Sequence, residues 1–146
     1  MEEINARIIG LLAEDGRMSF TELARRTGLS VSAAQQRVRR LEQRGVIKGY
    51  GAVISAEEIG LPLTAFVSIK AFDPAAPDDA PEKLSYLTAI EACHSVAGDE
   101  SYILKVRVAS PRDLEDLLQE IRASAGVSTH TTIVLSTPFE NRPPQV

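Results

Sequence analysis

Apolar residues recur with a helical period in the first third of the chain. Ile4, Ile8, Leu11 and Leu12 fall at i, i+4, i+7 and i+8, one stripe of a helix over Ile4–Ala13 that Asp15-Gly16 stops. Ser19 stands three residues before Glu22, a capping-box spacing, and Phe20, Leu23 and Ala24 give a second stripe up to Gly28. Ser30 is the next candidate cap. Behind it Val31, Ala34, Val38 and Leu41 fall at i, i+3, i+7 and i+10, and Arg44-Gly45 ends the helix with Gly as the C′ residue. The last two of these three helices are separated by Thr27-Gly28-Leu29-Ser30, the layout of a helix-turn-helix. Val46, Ile47, Tyr50, Val53 and Ile54, set among Gly49 and Gly51, predict a short β-segment or wing. Ala56–Leu61 reads as a hinge or a single helical turn.

The second half alternates strand and helix patterns. Leu63–Phe72 is β-like, Asp73–Pro81 is a loop rich in Pro and Asp, and Leu84, Leu87 and Ile90 share one face of a helix over Glu82–Ile90. Ala92–Ala97 reads as a short strand, Gly98-Asp99-Glu100 as a turn, and Ser101–Ala109 as a strand in which Tyr102, Leu104, Val106 and Val108 alternate with Ile103, Lys105 and Arg107. Ser110 caps a helix with Pro111 in its first turn, Leu114, Leu117, Leu118 and Ile121 form its buried stripe, and Gly126 ends it. Val127–Thr137 is the last strand, and Pro138 with Pro143-Pro144 ends the order. The predicted class is α+β: an N-terminal winged helix-turn-helix over residues 1–51, a linker or hinge strand over 52–62, a ferredoxin-like βαββαβ domain over 63–138 and a tail over 139–146.

Charge changes this picture. The chain has 146 residues, 44% hydrophobic, with 16 Lys and Arg against 20 Asp and Glu, net −4. That total argues against nucleic acid, but it averages two unlike halves. Residues 1–50 carry nine basic and six acidic side chains, net +3, and residues 51–146 carry seven and fourteen, net −7. Within Arg17–Tyr50 eight basic residues face two acidic ones, net +6. A basic half on an acidic half points to two tasks, one of them on a polyanion. Cys93 is the only cysteine, so there is no intrachain disulfide and no CxxC zinc site, and we expect it to be a buried small apolar residue. No apolar run reaches the length of a membrane span, and the acidic N-terminus is unlike a signal peptide, which predicts a cytoplasmic protein that does not enter a membrane; DNA binding would make it nucleoid-associated.

On the helix over Val31–Arg44, the face opposite the apolar stripe collects Ser32, Ala33, Gln36, Arg39, Arg40 and Gln43, with Arg37 and Arg44 on a flank and Ser30 at the cap. Arg and Gln donors beyond small N-terminal residues suit a helix entering the major groove of double-stranded DNA, where Arg reads guanine edges or holds phosphate and Gln reads adenine edges. Arg25, Arg26 and Lys48 flank it as phosphate contacts. The same residues also suit the solvated face of an ordinary amphipathic helix; the capped helix before it, the Gly turn and the local +6 favour DNA. No nucleophile–base pair, metal cluster or phosphate loop is present, so neither an enzyme nor a cofactor is expected, and His94 and His130 lack metal-ligand spacing.

Residues 28–50 resemble the Lrp/AsnC (feast/famine) transcription regulators: a Gly28-Leu29-Ser30 turn, a helix ending in Arg40-Leu41-Glu42, then Gly45-Val46-Ile47 and Gly49-Tyr50. Asp15-Gly16-Arg17 and Glu22-Leu23-Ala24 are similar too, as are Ser95-Val96-Ala97-Gly98-Asp99, Tyr102–Val108, Gly126-Val127 and Ile133-Val134-Leu135. The resemblance implies a C-terminal amino-acid-sensing RAM domain whose sheets pair into a homo-oligomer, a dimer that often joins into a tetramer or octamer. It further implies effector binding at Gly98, Asp99, Glu100, Ser101 and Tyr102 with Thr129, Thr131 and Thr132 of a neighbour; His130 lies inside that Thr run, where it would line the same site. A Gly turn exposes amides for a carboxylate, Asp99 or Glu100 suits an ammonium, and threonine hydroxyls add donors and acceptors. Two departures stand out. The family's Gly-Asp-aromatic-Asp-aromatic turn is Gly98-Asp99-Glu100-Ser101-Tyr102 here, which opens the alternative of an effector-independent architectural DNA-binding protein of the same fold. Asn5 replaces a common acid, from which little is expected.

Overall fold

A computed structural model describes all 146 residues. They divide into two compact units, one of residues 1–53 with 139–146 and one of residues 54–138. No helix is long and apolar enough to cross a membrane.

The first unit is three helices: α1 (Glu3–Glu14), α2 (Phe20–Thr27) and α3 (Val31–Gln43). Local chemistry sets their ends. The Ser19 hydroxyl accepts from the Glu22 amide at 3.1 Å, and the Ser30 hydroxyl accepts from the Ala33 amide at 3.1 Å. Ile8, Leu23, Ala24, Ala34, Val38 and Leu41 form the core. Phe20 and Val31, at the first position of their helices, remain exposed instead of completing their stripes. The segment expected as wing and hinge strand is not β-structure: residues 46–62 hold no strand, because no second segment pairs with them. The Val46 and Ile47 amides bond instead to the Leu41 carbonyl, extending the end of α3, and Ala56–Gly60 is a turn.

The second unit is a four-stranded antiparallel sheet, β1 (Leu63–Ala71), β2 (Ile90–Ser95), β3 (Tyr102–Val108) and β4 (Val127–Ile133), in the order β2-β3-β1-β4. With α4 (Ala80–Leu84) and α5 (Pro111–Ala125) in chain order, this is the ferredoxin-like βαββαβ arrangement. The period-two pattern decides which face is covered. Ala65, Val67 and Ile69 of β1 and Tyr102, Leu104, Val106 and Val108 of β3 are buried with Leu114, Leu117 and Ile121 of α5. Residues between them, such as Phe66, Lys70, Ile103, His130 and Thr132, lie on the opposite face.

Several boundaries differ from the sequence pattern, among them the end of β2, which is Ser95 rather than Ala97. The helix expected over Glu82–Ile90 is only the five residues of α4, and Leu87 and Ile90 reach the core through successive turns. Ile90 is instead the first residue of β2, opposite Val106, with a bulge before Ala92. The last strand stops at Ile133 rather than Thr137 because its partner runs out: the Val134 amide takes the Thr64 carbonyl at 2.9 Å, and β1 begins at Leu63. Cys93 is exposed, not buried, because β2 is an edge strand.

Candidate functional site

The turn between α2 and α3 depends on Gly28, whose φ of 73° is a left-handed conformation that side chains rarely adopt. The next amide, Leu29, returns to the Ala24 carbonyl at 3.1 Å. The chain can therefore reverse and start α3 within three residues. Ala34, Val38 and Leu41 pin α3 to the core, and the opposite ridge of Ser32, Gln36, Arg39, Arg40 and Gln43 is exposed, with Ala33 half-buried beside it. Thirteen residues give a ridge about 20 Å long.

The cations around α3 are not equivalent. Arg26, Arg39, Arg40 and Lys48 are exposed and form no ion pair. Arg25 forks onto Glu22 at 2.9 and 2.6 Å, which holds the Glu22 carboxyl below its ordinary range. Arg37 is turned away from the ridge. Its guanidinium donates to Glu2 at 2.8 Å and to Asn5 Oδ1 at 3.1 Å, so it ties the start of α1 to α3. Asn5, expected to matter little, is thus a partner of Arg37; 32 residues separate the two, and no local signal reveals the pair.

In the second unit the β2–β3 turn is anchored at its end. The Val96 amide bonds to the Ser101 carbonyl at 3.1 Å, and the Ser101 amide bonds to the Ile69 carbonyl at 2.9 Å. Gly98 and Asp99 are exposed at the tip, with Glu100 and Ser101 half-buried. Tyr102 points the other way, into the helix-covered face, where its phenol donates to Asp78. That bond, with burial, raises the phenol above its ordinary pKa. A small cavity there is walled by Ile69, Tyr102, Asp78, Lys83 and Val127, and neither Asp78 nor Lys83 stood out in the sequence. The last-strand threonines are divided. Thr129 and Thr131 pair with Ile69 and Val67 on the helix-covered face, whereas Thr132 pairs with Phe66 and faces the open side. The Thr129 hydroxyl accepts from Arg122 at 3.1 Å. Since β1 lies between β3 and β4, the turn and the threonines stand on strands that are not neighbours. His94 and His130 are exposed on the open face, and no three His, Cys, Asp or Glu side chains are grouped to hold a metal.

Residues 1–48 match the family described as winged helix-turn-helix DNA-binding, and residues 64–144 match the Lrp/AsnC ligand binding domain. The chain belongs to the Lrp/AsnC family. The HTH-type transcriptional regulator LrpA of Mycobacterium tuberculosis is 54% identical over 142 residues, 97% of this chain and 95% of that protein. The leucine-responsive regulatory protein of Escherichia coli is 36% identical over 140 residues, 92% of this chain and 85% of that one. A solved structure of the feast or famine regulatory protein from M. tuberculosis complexed with L-methionine has a TM-score of 0.97 at 53% identity, covering 99% of each chain. This Lrp/AsnC member is accordingly a DNA-binding transcriptional regulator with a small-molecule-binding domain, not an enzyme.

Proposed function

We propose that α3 is the recognition helix and enters the major groove of double-stranded DNA. Ser32, Gln36, Arg39, Arg40 and Gln43 meet base edges and nearby phosphates, Ala33 permits close approach, and the α3 amides beside Ser30 lie near a phosphate. Arg25, Arg26 and Lys48 hold the DNA backbone, and Arg37 positions α1 against α3. The observation that carries this reading is the exposed ridge of α3 opposite its buried stripe, with Arg39 and Arg40 free of ion pairs. Gel-shift titration of Arg39→Ala and Arg40→Ala tests it. Weaker binding with altered sequence preference is expected, and unchanged affinity and preference in both variants refutes the assignment.

The effector of this reading is an amino acid, and the working form is a homo-oligomer of at least two chains acting in the cytoplasm on the nucleoid. The L-methionine bound to the M. tuberculosis relative supports the first point. The exposed tip at Gly98 and Asp99, with Glu100 beside it, supports it too, since backbone amides and acids complement a carboxylate and an ammonium. In a two-fold dimer the operator is an inverted repeat. A thermal-shift screen against the twenty amino acids tests the effector. A specific ligand at 100 times its Kd stabilises by about 2.7 kcal/mol. No stabilisation by any of them favours the effector-independent architectural reading, which the Glu100 and Ser101 substitutions in the turn support.

A further inference from the structure

The flank of α3 that faces the start of α1 carries more positive charge than its own partners neutralise. Arg37, Arg40 and Arg44 recur at i, i+3 and i+7, so neighbouring guanidinium groups share one strip of helix surface. A groove opens there, lined by the three arginines with Gln43, Glu2 and Asn5. Only Arg37 is paired, to Glu2 and Asn5. Arg40 and Arg44 are exposed on the groove's rim without an ion pair. Like charges at helical spacing repel, and a bound anion relieves that repulsion. The Glu2 carboxylate is the only anion in the groove, and Arg37 holds it below its ordinary pKa, so it stays charged at neutral pH.

We propose that this groove seats a DNA backbone phosphate between Arg40 and Arg44, and that Glu2 limits its strength. Arg40 lies between the outward ridge and the groove, so a strand flanking the recognition helix meets Arg40 first and Arg44 one turn further along. The phosphate comes within range of Glu2, whose charge repels it and whose bond keeps Arg37 from becoming a third phosphate ligand. Arg44 is thereby an affinity residue that carries no sequence information, and Glu2 is a built-in brake. The inference rests on α3 being the recognition helix.

The test is fluorescence anisotropy of the full chain on a mixed-sequence duplex over a range of salt, with folding checked by circular dichroism. Arg44→Ala is expected to weaken binding and to flatten the slope of log K against log salt by about 0.9 per subunit. Glu2→Gln is expected to tighten binding by about two- to five-fold at low salt and to lose most of that gain at high salt. Arg39→Ala serves as the control for the parent reading. Weaker binding in Arg39→Ala with no change in Arg44→Ala or Glu2→Gln overturns the phosphate seat and leaves the recognition helix standing. A weaker-binding Glu2→Gln overturns the brake. No change in any of the three overturns the recognition-helix assignment as well.

Discussion

Leu23 and Leu104 are a matched pair of probes, one in each unit. Both side chains are 0% exposed, and Leu→Ala removes the same atoms from each. A buried Leu→Ala change costs about 2–5 kcal/mol, set by how far the cavity collapses. The surroundings differ. Leu23 belongs to a core of six buried residues in a unit of three short helices, whereas Leu104 sits in the centre of a sheet backed by α5. Typical folding stability is about 0.05–0.15 kcal/mol per residue, or roughly 3–8 kcal/mol for residues 1–53. A loss near 3 kcal/mol then removes between about a third and all of that stability, and lowers the melting midpoint of so small a unit by about 12–24 °C. Differential scanning calorimetry of the full chain should show Leu23→Ala lowering one transition and Leu104→Ala the other. Anisotropy above the lowered midpoint should show DNA binding lost in Leu23→Ala. A single transition that moves equally in both variants refutes the reasoning, because two separate cores would then not exist as folding units.

Other changes test single contacts. Gly28→Ala meets no atom within 4 Å of the new Cβ, so only the positive φ opposes it; about 1–2 kcal/mol should be lost from the first unit, read as a lower urea midpoint. Tyr102→Phe removes the bond to Asp78. The Tyr102 pKa is raised in the folded state, so this phenol adds stability that is full below about pH 10 and is lost as pH rises through the folded value. The native protein should therefore lose stability faster than Tyr102→Phe above about pH 10, with ultraviolet titration of the phenolate as the direct readout.

The helices were legible because their signals are local. Ser19, Ser30 and Ser110 cap helices within three residues of themselves, and Gly28 and Gly126 stand where helices end. The strand β3 was legible for a similar reason, its alternation matching its burial residue by residue. What the pattern missed depends on partners distant in sequence. The segment Val46–Ile54 is rich in the β-branched and aromatic residues of a strand, but a strand needs a ladder, and none is available. The end of β4 is fixed by where β1 starts, and the start of β2 by its register with Val106. The same holds at the candidate sites. The ridge of α3 follows from helical spacing alone, but the capture of Arg37 by Glu2 and of Tyr102 by Asp78 requires the tertiary fold.

The strand order carries a consequence for the ligand site. β3 and β4 are two strand spacings apart, about 10 Å, with β1 between them. That is further than the ammonium and carboxylate of one amino acid reach, and Thr129 is already committed to Arg122. If, as proposed, the Gly98–Ser101 turn and the Thr129–Thr132 strand both meet the effector, the site would be completed by a second copy of the chain. Ligand binding and assembly are then one linked equilibrium, in which ligand favours the assembled state by the same factor by which assembly tightens ligand binding. Calorimetric titration of L-methionine should give an apparent Kd that falls as protein concentration rises through the assembly midpoint, with sedimentation showing larger species when ligand is added. A Kd that stays constant while sedimentation shows the chain passing from smaller to larger assemblies places the whole site within one subunit. The cavity beside Tyr102 and Asp78 is then the place to look for it.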